Sequence, residues 1–179
     1  KQMSVNNIIT YKDLPIATPA LGLDYYQKSI QRSLNFSNLR KENYKKYLNY
    51  KNYPKTSKLD FFPVRLDIEN VSRCNFKCVM CIVSQLHKGK RAEDLSIENF
   101  KKIIDEFYSL VEIKLHGFGE PLMQGEDYFR MIEYAKSKII WVRMVTNGSL
   151  LHLKDNYKKL IDTNTDEIQI SIDGATKKV

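Results

Sequence analysis

Hydrophobic and polar positions alternate along four short segments of the chain, and this alternation predicts four β-strands. The segments are residues 64–69, 111–116, 140–146 and 167–172. Between them, apolar residues recur at helical spacing, and Ser96 is placed to cap the first of these helices. Strands that alternate with helices predict βαβ units and a parallel sheet, so we expect an α/β fold.

A further helical pattern precedes the first strand, over residues 24–52, with an interruption near residues 35–37. Proline and glycine break up the chain before this pattern, and a linker containing proline and lysine follows it. We therefore divide the chain at Leu59. Residues 1–58 form a basic, irregular and helical N-terminal extension, and residues 59–179 form the α/β core.

The positive charge is concentrated in the N-terminal third of the chain. Residues 1–60 hold eleven basic and four acidic residues, so they account for +7 of the formal net charge of +8. Lysines and tyrosines interleave there, which is compatible with nucleic-acid binding. The alternative, which we favour, is an amphipathic surface helix, although nucleic acid as a partner stays open.

Each predicted strand has one apolar face and one polar or mixed face. A parallel sheet buried on both faces would be apolar throughout, so the pattern favours a partial (β/α) barrel with a helix-covered outer face and a wet inner face. The sequence ends just after the fourth predicted strand, which would leave a parallel edge uncovered. We therefore expect a fragment of a longer protein that is truncated after about four strands. Six inward-facing residues are candidates for substrate binding, with an ion pair inside the barrel as the alternative for each: Asp67, Glu69, Lys114, His116, Arg143 and Gln169.

All three cysteines lie within eight residues, in the pattern C-x3-C-x2-C. Three thiols in one loop are a poor disulfide framework, and no stretch of the sequence is typical of a signal peptide or a membrane span. Soft thiolates crowded into one loop predict a metal site, either an iron–sulfur cluster or zinc. Clustered free thiols also predict a cytoplasmic protein, because disulfides rarely persist in that compartment.

Three glycine-containing turns fall at the predicted carboxyl ends of the other strands. They read GFGEPL after the second strand, TNG after the third and SIDG after the fourth. Ligands of parallel α/β folds gather at that edge of the sheet, and glycine allows close approach to the backbone. Together with the cysteine loop, the turns predict one ligand site along a single rim.

The order and spacing of these four motifs resemble the radical S-adenosylmethionine (SAM) superfamily, over about residues 64–175. GFGEPL and SIDGAT are most similar to members with an additional C-terminal iron–sulfur domain, the SPASM type, and we expect that domain beyond Val179. The resemblance implies an enzyme with a [4Fe-4S] cluster and SAM as cofactors, and with flavodoxin or ferredoxin as electron donor. It implies hydrogen abstraction by a 5′-deoxyadenosyl radical. The expected substrate is a peptide or protein, or else a polar metabolite.

The resemblance also implies roles for individual residues. The cysteines would ligate three irons and leave the fourth iron to SAM: Cys74, Cys78 and Cys81. Phe118, Gly119 and Glu120 match the stretch that binds the SAM amino group, although Phe118 replaces the first glycine of the commoner motif. The other positions expected beside SAM are Met80 near the adenine, and Asn147, Ser171 and Asp173 near the carboxylate and ribose.

The alternative for the thiolates is a structural zinc site of the Cys3His type. Its fourth ligand would be His87, which gives the spacing C-x3-C-x2-C-x5-H. That spacing is not among the usual ones for zinc ligands. A zinc site would also leave the three glycine turns unexplained.

Overall fold

Four parallel strands form a single sheet in the order β1-β2-β3-β4. The computed structural model describes residues 23–52, 57–86 and 92–172. The strands in it are β1 (Arg65–Ile68), β2 (Glu112–Leu115), β3 (Trp141–Thr146) and β4 (Glu167–Ile170). Each strand pairs in parallel with the next one along the chain. The α/β class predicted from the alternation is confirmed.

The helices that the apolar spacing predicts are present, together with one short helix in the cysteine loop, residues 82–85, that the sequence pattern did not predict. They are α1 (Leu23–Asn35), α2 (Asn38–Asn52), α3 (Ile82–Gln85), α4 (Ile97–Glu106), α5 (Glu126–Ser137) and α6 (Asn156–Asp162), with 3-10 turns at Pro121–Gln124 and Leu153–Asp155. The hydroxyl of Ser96 accepts the backbone N–H of Asn99 at 3.1 Å, so the predicted N-cap of α4 is confirmed. Among the residues that the structure describes, no helix combines the length and the apolar character needed to cross a membrane.

The outer face of the sheet packs against α4 and α5 and forms the main core. Side chains from both layers are almost fully buried: Phe100, Ile104, Ile113, Leu115, Ile132, Val142 and Met144. Burying each such side chain contributes about 1.5–3 kcal/mol to folding. Because side chains alternate across a strand, this packing sends the paired residues Lys114 and Arg143 to the opposite, inner face.

The inner face is dry at the amino ends of the strands, where α1 covers it. Trp141 is only 4% exposed, and the rings of Tyr25 and Tyr26 meet it edge-on, with centroids 5.7 and 5.0 Å away. The Tyr26 hydroxyl donates to Oε2 of the buried Glu112 at 2.6 Å. The prediction of a wet inner face is therefore wrong at this end, because the N-terminal helices bury it.

Strand β4 has little cover on its apolar face. Ile168, Ile170 and Ile172 are 37%, 48% and 76% exposed. In the described part of the chain, the helix cover predicted for the outer face is therefore found over the middle of the sheet and not over β4. The reason is that α4 and α5 pack over the middle of the sheet, whereas β4 is its edge strand.

Candidate functional site

The cysteine loop leaves the carboxyl end of β1 and is closed at its base by hydrogen bonds. The backbone N–H of Leu95 donates to the carbonyl of Asn70 at 2.8 Å. The Ser72 hydroxyl accepts the N–H of Ala92 and donates to the Ala92 carbonyl, both at 2.8 Å. The two ends of the loop are therefore held together by the protein itself.

All three thiols are free and only partly buried: Cys74, Cys78 and Cys81. The N–H of Cys81 donates to the carbonyl of Cys78 at 3.0 Å, and the Ser84 hydroxyl reaches both carbonyl oxygens of this turn, at 2.5 and 2.8 Å. Within residues 23–52, 57–86 and 92–172, no three His, Cys, Asp or Glu side chains are already gathered as a metal-ligand group. The alternative zinc ligand, His87, lies outside the described residues.

Glu120 joins three of the predicted motifs. Its side chain is buried, and its carboxylate accepts the Thr146 hydroxyl at 2.7 Å and the Asn147 backbone N–H at 2.8 Å. Its own backbone N–H donates to the carbonyl of Arg73, at the start of the cysteine loop, at 2.9 Å. The GFGEPL turn, the TNG turn and the cysteine loop therefore form one hydrogen-bonded rim.

The side chain of Asn147 extends this rim to a cysteine. Its Nδ2 lies 3.0 Å from Oδ1 of Asn75 and 3.7 Å from Sγ of Cys74. Its Oδ1 accepts the backbone N–H and the hydroxyl of Ser149, which in turn accepts Asn75 Nδ2 at 2.8 Å. Sequence reasoning missed Asn75 and Ser149. The only signals for them were that Asn75 is a polar residue between two cysteines of the motif and that Ser149 is a polar residue directly after the TNG turn.

The two glycines of GFGEPL have different surroundings. A Cβ on Gly119 would lie 2.3 Å from the carbonyl oxygen of Val71 and 2.6 Å from that of Arg73. The turn therefore packs directly against the backbone that precedes the cysteines. A Cβ on Gly117 would instead meet the side chain of Glu69, at 2.3 Å. Only glycine allows the approach at position 119, because backbone atoms cannot move aside.

The predicted SAM-contacting side chains occupy both exposed and buried positions. Met80 and Phe118 are 74% and 58% exposed on two adjacent segments of the rim. Ser171 is exposed just beyond β4, and its backbone N–H donates to the Thr146 carbonyl at 2.9 Å. Asp173 lies outside the described residues, so its predicted position stays a prediction.

Four of the six predicted substrate residues line one cavity on the inner face, with a volume of about 410 Å³. They are Asp67, Glu69, Lys114 and His116, and the cavity is completed by Gly117 and Phe118. Oε1 of Glu69 accepts the backbone N–H of Phe118 at 2.8 Å, which ties the cavity wall to the GFGEPL turn. The cavity therefore adjoins the rim and carries both signs of charge.

His116 supplies a neutral polar group to this cavity. Its Nδ1 is buried, and no hydrogen-bond partner reaches it within the described part of the chain. Burial, and then the positive charge of Lys114, lowers the pKa of His116 from 6.5 to about 4. The imidazole is therefore uncharged at neutral pH and can both donate and accept a hydrogen bond.

The remaining two substrate candidates lie apart from the cavity lining. Arg143 pairs with Glu167 through Nε at 2.9 Å and Nη2 at 2.8 Å. This is the ion-pair alternative considered for each of the six residues. Gln169 is exposed on the edge strand β4. Arg143 still contributes to the cavity through its charge, which is one of the smaller causes of the lowered pKa of His116.

The chemistry of the donor set fits an iron–sulfur cluster. Such clusters bind to cysteine thiolates, and the loop offers three thiols that are free and reachable from solvent. The hydrogen bonds at the base of the loop hold these thiols at the carboxyl end of the sheet, where ligands of parallel α/β folds bind. Binding would have to gather the three sulfurs, since they share a loop but are not yet grouped.

Comparison with known proteins agrees with the motifs. Residues 69–179 match the family model described as the Radical SAM superfamily. The mycofactocin maturase MftC of Mycobacterium tuberculosis is 34% identical over 119 residues, which are 65% of this chain and 29% of that protein. The tungsten-containing aldehyde ferredoxin oxidoreductase cofactor-modifying protein of Pyrococcus furiosus is 30% identical over 111 residues, 60% of this chain and 30% of that protein. The chain thus spans less than a third of the length of these relatives.

A solved structure supports the fold. BtrN in complex with AdoMet and 2-DOIA superposes with a TM-score of 0.52 at 20% sequence identity, over 67% of this chain and 50% of that chain. At this level of identity the likeness concerns the fold alone. It agrees with the prediction that the four parallel strands are part of a (β/α) barrel.

Proposed function

Because this chain belongs to the radical SAM superfamily, a family of enzymes that use a [4Fe-4S] cluster and SAM, we propose that it forms the cofactor-binding part of such an enzyme. The reaction would be reductive cleavage of SAM, followed by hydrogen abstraction from a bound substrate. One observation carries the proposal. The cysteine loop, the GFGEPL turn and the TNG turn are joined into one rim by the buried carboxylate and the backbone N–H of Glu120.

The cysteines would hold the cluster. Cys74, Cys78 and Cys81 supply three thiolates for four irons, and the amino and carboxylate groups of SAM would chelate the remaining iron. When bound, the cluster supplies the electron that cleaves SAM to methionine and a 5′-deoxyadenosyl radical. The protein's own contribution is to hold the thiols at the rim and to present backbone groups beside them.

The GFGEPL turn is suited to bind the SAM amino group through its backbone. Gly119 brings the turn against the segment before the cysteines, so the backbone of Phe118 and Glu120 lies beside the loop. The Glu120 carboxylate is already used by Thr146 and Asn147, which leaves backbone atoms as the contacts with SAM. We place Met80 near the adenine, and Ser171 and Asp173 near the ribose and carboxylate, on the family resemblance.

The substrate would bind in the inner-face cavity. Asp67, Glu69, Lys114 and the neutral His116 offer hydrogen bonds and both signs of charge to a polar molecule. Two relatives are named as a maturase and as a cofactor-modifying protein, so both names describe the modification of another molecule. We therefore keep a peptide or protein as the first substrate class. A polar metabolite is the second, because it suits the lining of the cavity equally well.

The reaction needs an electron donor, for which flavodoxin or ferredoxin is suitable. A reducing cytoplasm is the compartment that fits three free thiols and an oxygen-sensitive cluster. The GFGEPL and SIDGAT sequences favour the SPASM type of radical SAM enzyme.

The test is anaerobic reconstitution with iron and sulfide. We expect a brown protein with the absorption and EPR spectra of a [4Fe-4S] cluster, which releases 5′-deoxyadenosine from SAM when dithionite is added. Cys78→Ala should lose both the cluster and SAM cleavage. The matched control is Lys77→Ala, an exposed position in the same loop, which should keep both. A colourless wild-type protein that holds one zinc ion and leaves SAM intact would contradict the proposal.

A further inference from the structure

The side-chain amide of Asn147 is held in one orientation. A backbone N–H only donates, so the atom that meets the N–H of Ser149 at 2.9 Å must be the amide oxygen of Asn147. The Ser149 hydroxyl donates to the same oxygen at 2.6 Å, and the backbone of Asn147 is tied to the buried Glu120. The NH2 group of Asn147 is therefore directed away from Ser149, toward the cysteine loop.

This NH2 group faces Cys74. It lies 3.7 Å from Sγ of Cys74, within the range of an N–H···S hydrogen bond, and 3.0 Å from Oδ1 of Asn75. The backbone N–H of Phe76 approaches the same sulfur at 3.4 Å. Two N–H donors thus converge on the Sγ atom of Cys74.

The three cysteines are held differently. Cys74 follows Arg73, whose carbonyl accepts the N–H of Glu120, so this thiol is attached to the rim on its N-terminal side. Cys78 and Cys81 are attached through their carbonyls to Ser84 of α3. In the part of the chain that the structure describes, no side-chain N–H donor reaches the sulfur of either one. Cys74 is therefore the cysteine on which the TNG turn acts.

We propose that Asn147 is a positioning residue for the cluster, which holds Cys74 and raises the cluster's reduction potential through an N–H···S hydrogen bond. The inference rests on the proposed function, since it needs a cluster on the cysteines. Hydrogen bonds to the sulfurs are among the features that set the potential of an iron–sulfur cluster, because a donor stabilises the added negative charge of the reduced form. This role differs from the contact with SAM that the family resemblance implies for Asn147.

The experiment is a redox titration of the reconstituted full chain, monitored by EPR. Asn147→Ala removes the donor without adding charge. At a fixed potential near the midpoint, we expect the ratio of reduced to oxidised cluster to fall about tenfold, which corresponds to about 59 mV for one electron. SAM affinity of the same variant, measured by equilibrium dialysis, is the second readout, because it separates a role toward the cluster from the contact with SAM that the family resemblance implies.

Two further variants separate the hydrogen bond from loop packing. Asn75→Ala removes the other partner of the NH2 group but leaves Asn147 beside Cys74, so the potential should stay at the wild-type value. Ser149→Ala removes the hydroxyl that orients the amide, and we expect a smaller shift in the direction of Asn147→Ala. If Asn147→Ala fails to assemble a cluster, Ser149→Ala and Asn75→Ala still provide the comparison.

The outcomes that would overturn the inference are distinct from those that would overturn the proposed function. An unchanged potential with weakened SAM binding in Asn147→Ala would assign the residue to SAM instead of the cluster. Equal shifts in Asn147→Ala and Asn75→Ala would show an effect of loop packing. A wild-type protein that assembles no cluster would refute the proposed function itself, before any variant is compared.

Discussion

The two ends of the inner face of the sheet have the same sequence pattern but opposite environments. At the amino ends of the strands, Glu112 and Trp141 are buried beneath α1. At the carboxyl ends, Lys114 and His116 line a solvent-reachable cavity next to the cysteine loop. The difference shows that one polar strand face can be buried at one end and reachable from solvent at the other, which leaves only the second end accessible to a ligand.

The amino ends of the strands form a closed end, where the guanidinium of Arg40 is satisfied mainly by backbone carbonyls, whereas the buried Trp141 Nε1 has no hydrogen-bond partner in the described residues. Arg40 of α2 is 2% exposed, and its guanidinium donates to the carbonyls of Ser33, Tyr108 and Lys138 and to the Ser33 hydroxyl, at 2.9 to 3.2 Å. Burial lowers the pKa of Arg40 to about 10, so the side chain still carries its charge at neutral pH. Arg40 therefore connects α1 and α2 to the loops that precede β2 and β3.

The carboxyl ends of the strands form an open end, where the part held by hydrogen bonds to the buried Glu120 is the rim. Its hydrogen bonds concentrate on Glu120 and the TNG turn, whereas the cavity beside them contains Nδ1 of His116, which has no hydrogen-bond partner in the described residues. In the proposed function, the rim positions the cofactors, and Nδ1 of His116 is available to bind a polar substrate.

The largest expected effect comes from adding one methyl group at the open end. Gly119→Ala places Cβ against two backbone carbonyls, so the turn must separate from the cysteine loop. We expect a loss of about 3 kcal/mol in the free energy of unfolding, measured by urea denaturation, together with loss of cluster assembly. Gly117→Ala is the matched control and should cost about 1 kcal/mol, because the Glu69 side chain can rotate away. Equal losses would show that the approach to the backbone is not the constraint.

A smaller loss is expected at the closed end. Arg40→Ala leaves several buried carbonyls without their donor, which should lower the free energy of unfolding by about 2 kcal/mol. The neighbouring Lys41 is exposed, so Lys41→Ala should change it by less than about 0.5 kcal/mol. Cluster spectra should be unchanged in both variants, because neither residue lies at the rim. A loss of the cluster in Arg40→Ala with little loss of stability would contradict this division between the two ends.

The smallest effect is a pH dependence at His116. Its pKa is about 4 in the folded chain and 6.5 as the ordinary value, so between these values the unfolded chain binds more protons. Stability from the neutral imidazole is fully present above pH 6.5 and is lost as the pH falls toward 4. We expect His116→Gln to lose less stability than wild type between pH 7 and pH 4 in urea denaturation. His152→Gln, at an exposed position, should keep the wild-type slope.

Local patterns predicted the elements of the fold well, because each pattern acts through nearby residues. Helical spacing and an N-cap serine define α4, and alternation defines the strands to within two residues. The covered amino end of the inner face was not predictable in this way. Its burial depends on α1, more than one hundred residues away in sequence from Trp141. No local pattern in β3 indicates which distant helix will pack on it.

The sequence by itself determined the parallel α/β fold, the chemical type of the site and the family. Three thiols in one loop and three glycine turns at strand ends carry that information in their spacing alone. Only the tertiary structure decided which side chains meet. Glu120 binds the TNG turn, Asn147 faces Cys74, and one end of the sheet is sealed while the other stays open. These contacts join residues 25 or more positions apart, so they depend on how the strands and helices pack and not on the order of residues within any one of them.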